Sequence, residues 1–159
     1  MSIFVTPDDY LMTRAAHVME DFMAKRTPTR KTIKKADCPA SLVWFDIPAD
    51  DLARAKKFYS SLFGWKIRRF PAMPDYWHID TGGGKDTLDG GLLPRKYPQH
   101  PFTAYVSVPS VDKAAAKVAK LGGSICRAKT PVPGMGYFVI CEDTEGNPFA
   151  LWEMNPKAK

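Results

Sequence analysis

Apolar and polar residues alternate along two stretches of the chain, and a helical pattern follows each stretch. The first copy reads LVWFDIPADDLARAKKFYSSLFG over residues 42–64, and the second reads TAYVSVPSVDKAAAKVAKLGG over residues 103–123. In both copies, a strand of alternating character leads through a proline-containing turn to a helix rich in Ala and Lys that ends at glycine. Ile47-Pro48 of the first copy corresponds to Val108-Pro109 of the second. The chain therefore contains an internal duplication of a strand–helix unit.

Short β segments follow the helix of each copy, and turns rich in proline and glycine separate them. Each half of the chain therefore reads as a strand, a helix and a meander of strands, so the predicted fold class is α+β. We expect two tandem βαβββ modules that form one curved mixed sheet around a cavity. The predicted helices begin near Asp50-Asp51 and at Val111, and the predicted strands cover 42–47, 65–70, 76–80, 90–93, 103–108, 124–128, 137–141 and 148–153.

Alternation along the first strand assigns its side chains to the two faces of the sheet. Asp46 lies at the end of this strand, so we interpret its carboxylate as a cap of the turn that follows. The helix that comes next has an apolar stripe, which we expect it to bury. The predicted assignment is Val43, Phe45 and Ile47 on one face and Leu42, Trp44 and Asp46 on the other, with Leu52, Ala55, Phe58, Tyr59 and Leu62 buried by the helix.

A separate helical pattern over residues 7–25 precedes the duplicated part. Thr6 suits an N-cap, Pro7 suits the first helical position, and apolar residues recur on one face. We expect this N-terminal helical extension to pack on the domain or on a second subunit, whereas a methionine-rich interaction face is the alternative. The predicted division is an N-terminal amphipathic helix and basic linker at 1–40, and one domain at 41–156 made of modules 41–95 and 100–156.

Composition and charge limit the classes of function. With 159 residues, of which 45% are hydrophobic, the chain fits one domain with an appendage. Its net charge of +6 is concentrated in the linker, which carries no aromatic residue to stack on bases, so we expect no nucleic-acid partner. No apolar run approaches the roughly 20 residues of a membrane span, and no secretory signal is visible. The scattered cysteines Cys38, Cys126 and Cys141 favour reduced thiols in a cytoplasmic protein.

Two parts of the sequence resemble one known superfamily. WFDIPADDLARAKKFYSSLFGW resembles the opening module of glyoxalase/bleomycin-resistance/extradiol-dioxygenase proteins, also called vicinal oxygen chelate proteins. YVSVPSVDKAAAKVAKLGG and TPVPGMGYFVICEDTEGNPFALWE resemble the second module and its closing strand. The resemblance covers residues 42–153 and implies the two-module fold with a cavity between the halves. It also implies a homodimer, because homodimers are common in that superfamily.

Active members of the superfamily hold one divalent metal with side chains from the first and last strands of each module. By this resemblance, the usual histidine position falls on Trp44, its counterpart in the second module on Thr103, and the closing-strand glutamate on Ala150. The remaining position falls within 90–92, where the sequence has only Gly and Leu. Tryptophan and alanine offer no lone pair to a metal, and threonine is a weak neutral ligand. We therefore predict no metal and no other cofactor.

The resemblance leaves a cavity with aromatic walls and a few hydroxyl groups, which suits a small-molecule ligand. We predict that the protein binds or sequesters a small apolar or aromatic molecule between its modules, with no catalytic residue assigned. The alternative is that the side chains fill the groove completely. The predicted ligand-binding residues are Trp44, Thr103, Tyr105, Ser107 and Trp152, together with His78, for which a purely structural hydrogen bond is the alternative.

An enzymatic alternative also stays open, namely a lyase, isomerase or dioxygenase related to lactoylglutathione lyase. It would need a metal on unexpected residues, such as His78 and Glu153, or a metal-free proton transfer. Glu153 is a poor replacement for the lost glutamate, because its odd spacing from Ala150 turns it to the opposite face of the strand. The glycine-rich segment 81–85 is interpreted as a hairpin and not as a phosphate loop, because β segments flank it.

Overall fold

The computed structural model of the chain describes residues 40–70, 73–84 and 87–159, and these residues form two βαβββ modules. The predicted α+β fold is confirmed, whereas the predicted helix over 7–25 and the basic linker lie outside the described residues. The first module consists of β1 (Ser41–Ala49), α1 (Leu52–Phe63), β2 (Lys66–Phe70), β3 (Met73–Asp80) and β4 (Gly90–Pro94), and the second of β5 (Thr103–Ser107), α2 (Val111–Lys120), β6 (Ser124–Val132), β7 (Gly136–Glu142) and β8 (Pro148–Met154).

The eight strands form one mixed sheet with the order β2-β3-β4-β1-β5-β8-β7-β6. In each module the first strand pairs in parallel with the last, β1 with β4 and β5 with β8. The modules join through the antiparallel pair β1 and β5, in which Trp44 lies opposite Tyr105. Counted from Ile47 and Val108, Trp44 and Tyr105 are equivalent positions of the duplicated sequence, so the duplication pairs Trp44 with Tyr105 and not with Thr103, which the resemblance had implied. The local twofold relation between the modules therefore passes between Trp44 and Tyr105.

Each helix packs against the strands of its own module. Both helices lie on the same face of the sheet, and the opposite face is open. Asp51 caps α1 by accepting a hydrogen bond from the backbone N of Arg54 at 2.9 Å, and Gly64 ends the helix with φ 72°. Ser110 caps α2 in the same way. The apolar core under α1 contains Ile67, Trp77, Ile79 and Leu92, the core under α2 contains Val111, Val139, Cys141 and Leu151, and a third cluster with Val132, Met135, Phe138 and Trp152 lies on the opposite face.

A register shift in β1 changes the predicted alternation at its start. The pairing of β1 with β5 shifts between Leu42 and Trp44, which is the mark of a β-bulge. Val43 consequently packs against the cluster on the open face and not under α1, and Leu42 is 53% exposed. The predicted face is therefore wrong for Val43, whereas Phe45 and Ile47 pack in the α1 core as predicted.

The apolar stripe that α1 buries is narrower than the predicted one. Leu52, Ala55 and Tyr59 pack against the core, but Phe58 and Leu62 are each 58% exposed. The sheet contacts the helix along positions i, i+3 and i+7, so Phe58, one step before Tyr59, is rotated by about 100° away from the contact. The prediction is wrong for Phe58 and Leu62. Neither α1 nor α2 is long and apolar enough to cross a membrane.

Candidate ligand-binding cavity

A cavity of about 780 Å³ lies on the open face of the sheet, and both modules contribute to its walls. Its volume is within the range of small-molecule sites, so the side chains do not fill the groove. Four of the predicted ligand-binding residues line it, namely Trp44, Thr103, Tyr105 and Trp152. Further aromatic side chains in the walls are Tyr76, Tyr97 and Phe138.

The polar centre of the cavity is the carboxylate of Asp46 in β1. Its Oδ1 accepts hydrogen bonds from the Tyr76 hydroxyl at 2.7 Å and from Trp44 Nε1 at 3.1 Å. Its Oδ2 accepts a hydrogen bond from the Tyr105 hydroxyl at 2.9 Å. Trp44 Nε1 also lies 2.8 Å from the Tyr76 hydroxyl oxygen. Asp46 therefore gathers side chains from β1, β3 and β5, and the interpretation of Asp46 as a turn cap is wrong, because Asp51 performs that role at α1.

Burial controls the protonation of this cluster. It raises the pKa of Asp46 above that of an ordinary aspartate, and the hydrogen bonds from Tyr76, Tyr105 and Trp44 oppose the rise. Burial also raises the pKa values of Tyr76 and Tyr105 well above the usual value, and the neighbouring carboxylate adds to this effect. Both phenols thus stay protonated and act as donors, while the proton affinity of Asp46 is higher than normal.

The β4 position beside Asp46 has no room for a side chain, and it lies within 90–92, where the resemblance places one of the metal ligands. In β4, Gly91 lies beside Asp46, and a Cβ atom added there would overlap the Tyr76 hydroxyl and crowd Asp46 Oδ1. In the second module Ala150 lies beside Tyr105 and is fully buried. Together with Trp44 and Thr103, these positions do not fit a divalent cation, because none of them provides a histidine or carboxylate donor. Over the described ranges, no group of three or more His, Cys, Asp or Glu side chains is placed to hold a metal ion.

The structure does not bring His78 and Glu153 together. His78 Nε2 lies 3.1 Å from Asp89 Oδ2, and the imidazole stacks on Trp44 with ring centroids 5.8 Å apart. Glu153 Oε2 accepts a hydrogen bond from the backbone N of Val111 at 3.0 Å, at the start of α2. The Glu153 carboxylate therefore lies on the helix side of the sheet, as its spacing from Ala150 predicts. Neither His78 nor Ser107 is among the described residues that line the cavity, and their part in binding stays a prediction.

The second module forms a mainly apolar wall with one cation at its edge. Trp152 is 6% exposed, and its Nε1 is enclosed without a hydrogen-bond partner among the described residues. The guanidinium of Arg127 lies 5.2 Å from the ring centroid of Phe138, and the rings of Phe138 and Tyr105 meet edge to face at 6.5 Å. Cys126 also lines the cavity, but burial raises its pKa, so its thiol is not an activated nucleophile.

Sequence reasoning missed the roles of Asp46 and Tyr76. One signal was available, because Asp46 shares a strand face with Trp44 at period two, and Tyr76 is two residues before His78. The contact between Asp46 and Tyr76 spans strands β1 and β3, which are not neighbours in the sheet. It depends on the small size of Gly91 in the intervening strand β4, and no local pattern indicates that dependence.

Comparison with known proteins places these features in a wider group. A family model described as "Bleomycin resistance protein-like N-terminal" matches residues 41–82. The glyoxylase-like domain-containing protein of Didymella fabae is 31% identical over 114 residues, which cover 67% of this chain and 88% of that protein. The putative glyoxylase CFP32 of Mycobacterium tuberculosis is 29% identical over 124 residues, which cover 70% of this chain and 45% of that protein. This chain therefore spans less than half the length of the mycobacterial relative.

A solved structure shows the same fold at lower sequence identity. A glyoxalase/bleomycin resistance protein/dioxygenase superfamily member from Vibrio splendidus 12B01 superposes with a TM-score of 0.56 at 13% identity. The match covers 72% of this chain and 99% of that one. At this identity the likeness concerns the two-module fold alone.

Proposed function

Because the chain belongs to the glyoxalase/bleomycin resistance/dioxygenase superfamily, we propose that it binds a small aromatic molecule in the cavity between its two modules. The cavity of about 780 Å³ with aromatic walls is the observation that carries this proposal. Binding in it would not depend on a metal, because the positions that the resemblance assigns to metal ligands hold Trp44, Thr103 and Ala150, with only Gly and Leu at 90–92. The protein would then act as a binder or sequestering protein and not as a metal-dependent lyase or dioxygenase.

One feature of the walls supports an aromatic ligand, and a second supports an oxygen atom on that ligand. Tyr105 and Phe138 present their rings to the same space, and aromatic pairs contribute about 0.5–1.5 kcal/mol beyond the area that they bury. The enclosed Nε1 of Trp152 makes no hydrogen bond to the described residues. A ligand oxygen that reached this donor after a small side-chain shift would remove a cost of about 1–3 kcal/mol.

Quenching of tryptophan fluorescence tests the proposal, because Trp44 and Trp152 both line the cavity. We expect the full chain to bind naphthalene-sized aromatic probes saturably and with one-to-one stoichiometry. Phe138→Leu keeps an apolar side chain but removes the ring, so it should weaken binding by about threefold to tenfold. Phe58→Leu is the matched control outside the cavity and should change the affinity by less than about twofold. Equal effects of the two substitutions, or no saturable binding, would refute the proposal.

Metal analysis separates binding from the enzymatic alternative related to lactoylglutathione lyase. The purified full chain should contain far less than one equivalent of Zn, Ni or Fe after dialysis, and chelators should leave probe binding unchanged. One equivalent of any of these metals that survives dialysis, together with chelator-sensitive binding, would overturn the metal-independent proposal and support the enzyme.

We also propose that the protein binds its ligand as a homodimer and that it does so in the cytoplasm. Phe58, Leu62 and Phe63 of α1 are more than half exposed and form an apolar surface that a second copy could cover. Cys126 and Cys141 are free thiols, which supports a reducing compartment. Sedimentation equilibrium of the full chain and of Leu62→Glu tests the dimer. A monomeric wild type, or a dimer that Leu62→Glu does not weaken, would refute the proposed surface.

The division of the chain into an N-terminal region at 1–40 and a domain at 41–156 also stays a proposal. Limited proteolysis of the full chain should cut first within 1–40 and leave a resistant fragment that begins near residue 41. Cleavage first inside 41–156 would contradict this division.

A further inference from the structure

The Asp46 carboxylate has one hydrogen-bond position left for a ligand. Each carboxylate oxygen can accept about two hydrogen bonds. Oδ1 receives two, from Tyr76 and Trp44, whereas Oδ2 receives one, from Tyr105, among the described residues. Asp46 lines the cavity, so the open position at Oδ2 belongs to the ligand space.

A ligand group at this position must bring its own hydrogen. The hydroxyl hydrogens of Tyr76 and Tyr105 are both directed to Asp46, so neither is available to a ligand while the carboxylate is ionised. The cluster therefore presents acceptor atoms and no free donor. A ligand ether or carbonyl oxygen would face only lone pairs there, which is repulsive.

The surroundings favour a neutral hydroxyl over an ammonium group as that donor. Arg127 places its guanidinium 5.2 Å from the Phe138 ring, and Phe138 meets the Tyr105 ring edge to face. An ammonium group at this position would be attracted by the carboxylate and repelled by Arg127, so it would gain less than it would from an isolated carboxylate. Two phenol groups of the protein already donate to this carboxylate, at 2.7 and 2.9 Å, which shows the geometry that a further phenol would adopt.

We propose that the cavity takes an aromatic ligand with a free hydroxyl group, which donates its hydrogen to Oδ2 of Asp46 while the ligand ring packs against Tyr105 and Phe138. This inference rests on the proposed function, because it requires that the cavity binds an aromatic molecule. In this inference Asp46 selects aromatic ligands that carry a hydroxyl group. The aromatic walls alone would not distinguish these ligands from other aromatic molecules.

Three probes of the same ring size test the inference on the full chain at mildly alkaline pH, which favours the ionised carboxylate over the protonated one. These probes are 2-naphthol, 2-methoxynaphthalene, which lacks the donor, and 2-naphthylmethylamine, which is a cation. We expect 2-naphthol to bind about tenfold more tightly than 2-methoxynaphthalene, because only 2-naphthol donates a hydrogen bond to the charged carboxylate. Equal affinities, or tighter binding of the methoxy compound, would overturn the inference. Tightest binding of the amine would overturn it in favour of ammonium recognition.

Asp46→Asn identifies the group responsible. This substitution keeps the side-chain shape but removes the charge, and the preference for 2-naphthol should fall below about threefold. Asp112→Asn is the matched control on the surface of α2, and it should keep the full preference. A preference that survives in folded Asp46→Asn would overturn the inference. If Asp46→Asn does not fold, the comparison of the probes on the wild-type chain still decides.

The outcomes separate the two proposals. If the wild-type chain binds none of the probes, the proposed function fails and the inference fails with it. If all three probes bind with the same affinity, the proposed function stands and only the role of Asp46 fails.

Discussion

The hydroxyl of Tyr105 donates a hydrogen bond to Oδ2 of Asp46 at 2.9 Å, and this bond connects the second module to the first. Tyr105 lies in β5 and Asp46 in β1, which are the two strands that join the modules. The same carboxylate accepts a bond from Tyr76 in β3. One side chain therefore links three strands on the open face of the sheet, at the wall of the cavity.

Removal of the Asp46 carboxylate should lower the stability of the fold. In Asp46→Ala the hydroxyls of Tyr76 and Tyr105 lose their acceptor, and each buried unsatisfied donor costs about 1–3 kcal/mol. We expect the free energy of unfolding, measured in urea, to fall by about 2–4 kcal/mol. Asp112→Ala removes an exposed ion pair with Lys129 in the first turn of α2 and should cost clearly less than Asp46→Ala. Equal losses in the two variants would contradict the central role of Asp46.

The free energy of unfolding should depend on pH in part through the titration of Asp46. Its pKa in the folded chain is raised above 3.8, so the folded state holds this proton where the unfolded state has released it. The contribution of Asp46 to stability is therefore present below 3.8 and is lost as the pH rises through the pKa of the folded state. The difference in unfolding free energy between wild type and Asp46→Asn should fall over this window.

The comparison with Asp46→Asn cancels the titration of other groups that both proteins contain, such as His100 at the cavity. The affinity for 2-naphthol should rise over the same window, because the ionised carboxylate is the better acceptor. A difference in stability that stays constant or increases with pH would show that the pKa of Asp46 is not raised.

Gly91 should tolerate no side chain while Tyr76 is present. In Gly91→Ala the new methyl group overlaps the Tyr76 hydroxyl and crowds Asp46 Oδ1, so we expect a loss of about 1–3 kcal/mol and weaker probe binding. In the Tyr76→Ala background the main clash is gone. The same substitution should then cost at least about 1 kcal/mol less, which a double-mutant cycle by urea unfolding measures. Additive effects would mean that Tyr76 does not occupy the space beside Gly91.

Glu153 should stabilise α2 and leave ligand binding unaffected. Its carboxylate accepts the backbone N–H of Val111 at the positive end of the helix dipole, so Glu153→Ala should cost about 1–3 kcal/mol. Probe affinity should change by less than about twofold in the folded variant. Glu145→Ala, at an exposed turn, is the control and should lie within about 0.5 kcal/mol of wild type. A large loss of probe binding in Glu153→Ala would indicate that Glu153 contributes to ligand binding.

Local chemistry explains why much of the fold was predictable. Asp51 and Gly64 delimit α1 where a capping carboxylate and a left-handed glycine are expected, and the duplicated strand–helix pattern predicts two equivalent modules. The predictions fail where a contact depends on another part of the chain. A bulge redirects Val43, and the narrow contact between α1 and the sheet leaves Phe58 exposed.

The residues of the candidate site also fall into those that local patterns predict and those that depend on distant contacts. Trp44, Thr103, Tyr105 and Trp152 line the cavity as the alternation and the resemblance predict, because period two fixes the face of each side chain. His78 shares the strand face with Tyr76, but it contacts Asp89 and stacks on Trp44 and is not among the described residues that line the cavity. Sequence periodicity gives the face of a residue and not its partner on that face.

The sequence by itself determined the two-module architecture, since the strand–helix pattern occurs twice and each copy dictates the same local elements. Only the tertiary structure decided which side chains meet on the open face of the sheet. The carboxylate of Asp46 meets Tyr76 across a strand that has glycine at the point of contact, and it meets Tyr105 across the junction of the modules. These are contacts between residues about 30 and 59 positions apart, and they exist because the sheet brings β1, β3 and β5 to one face.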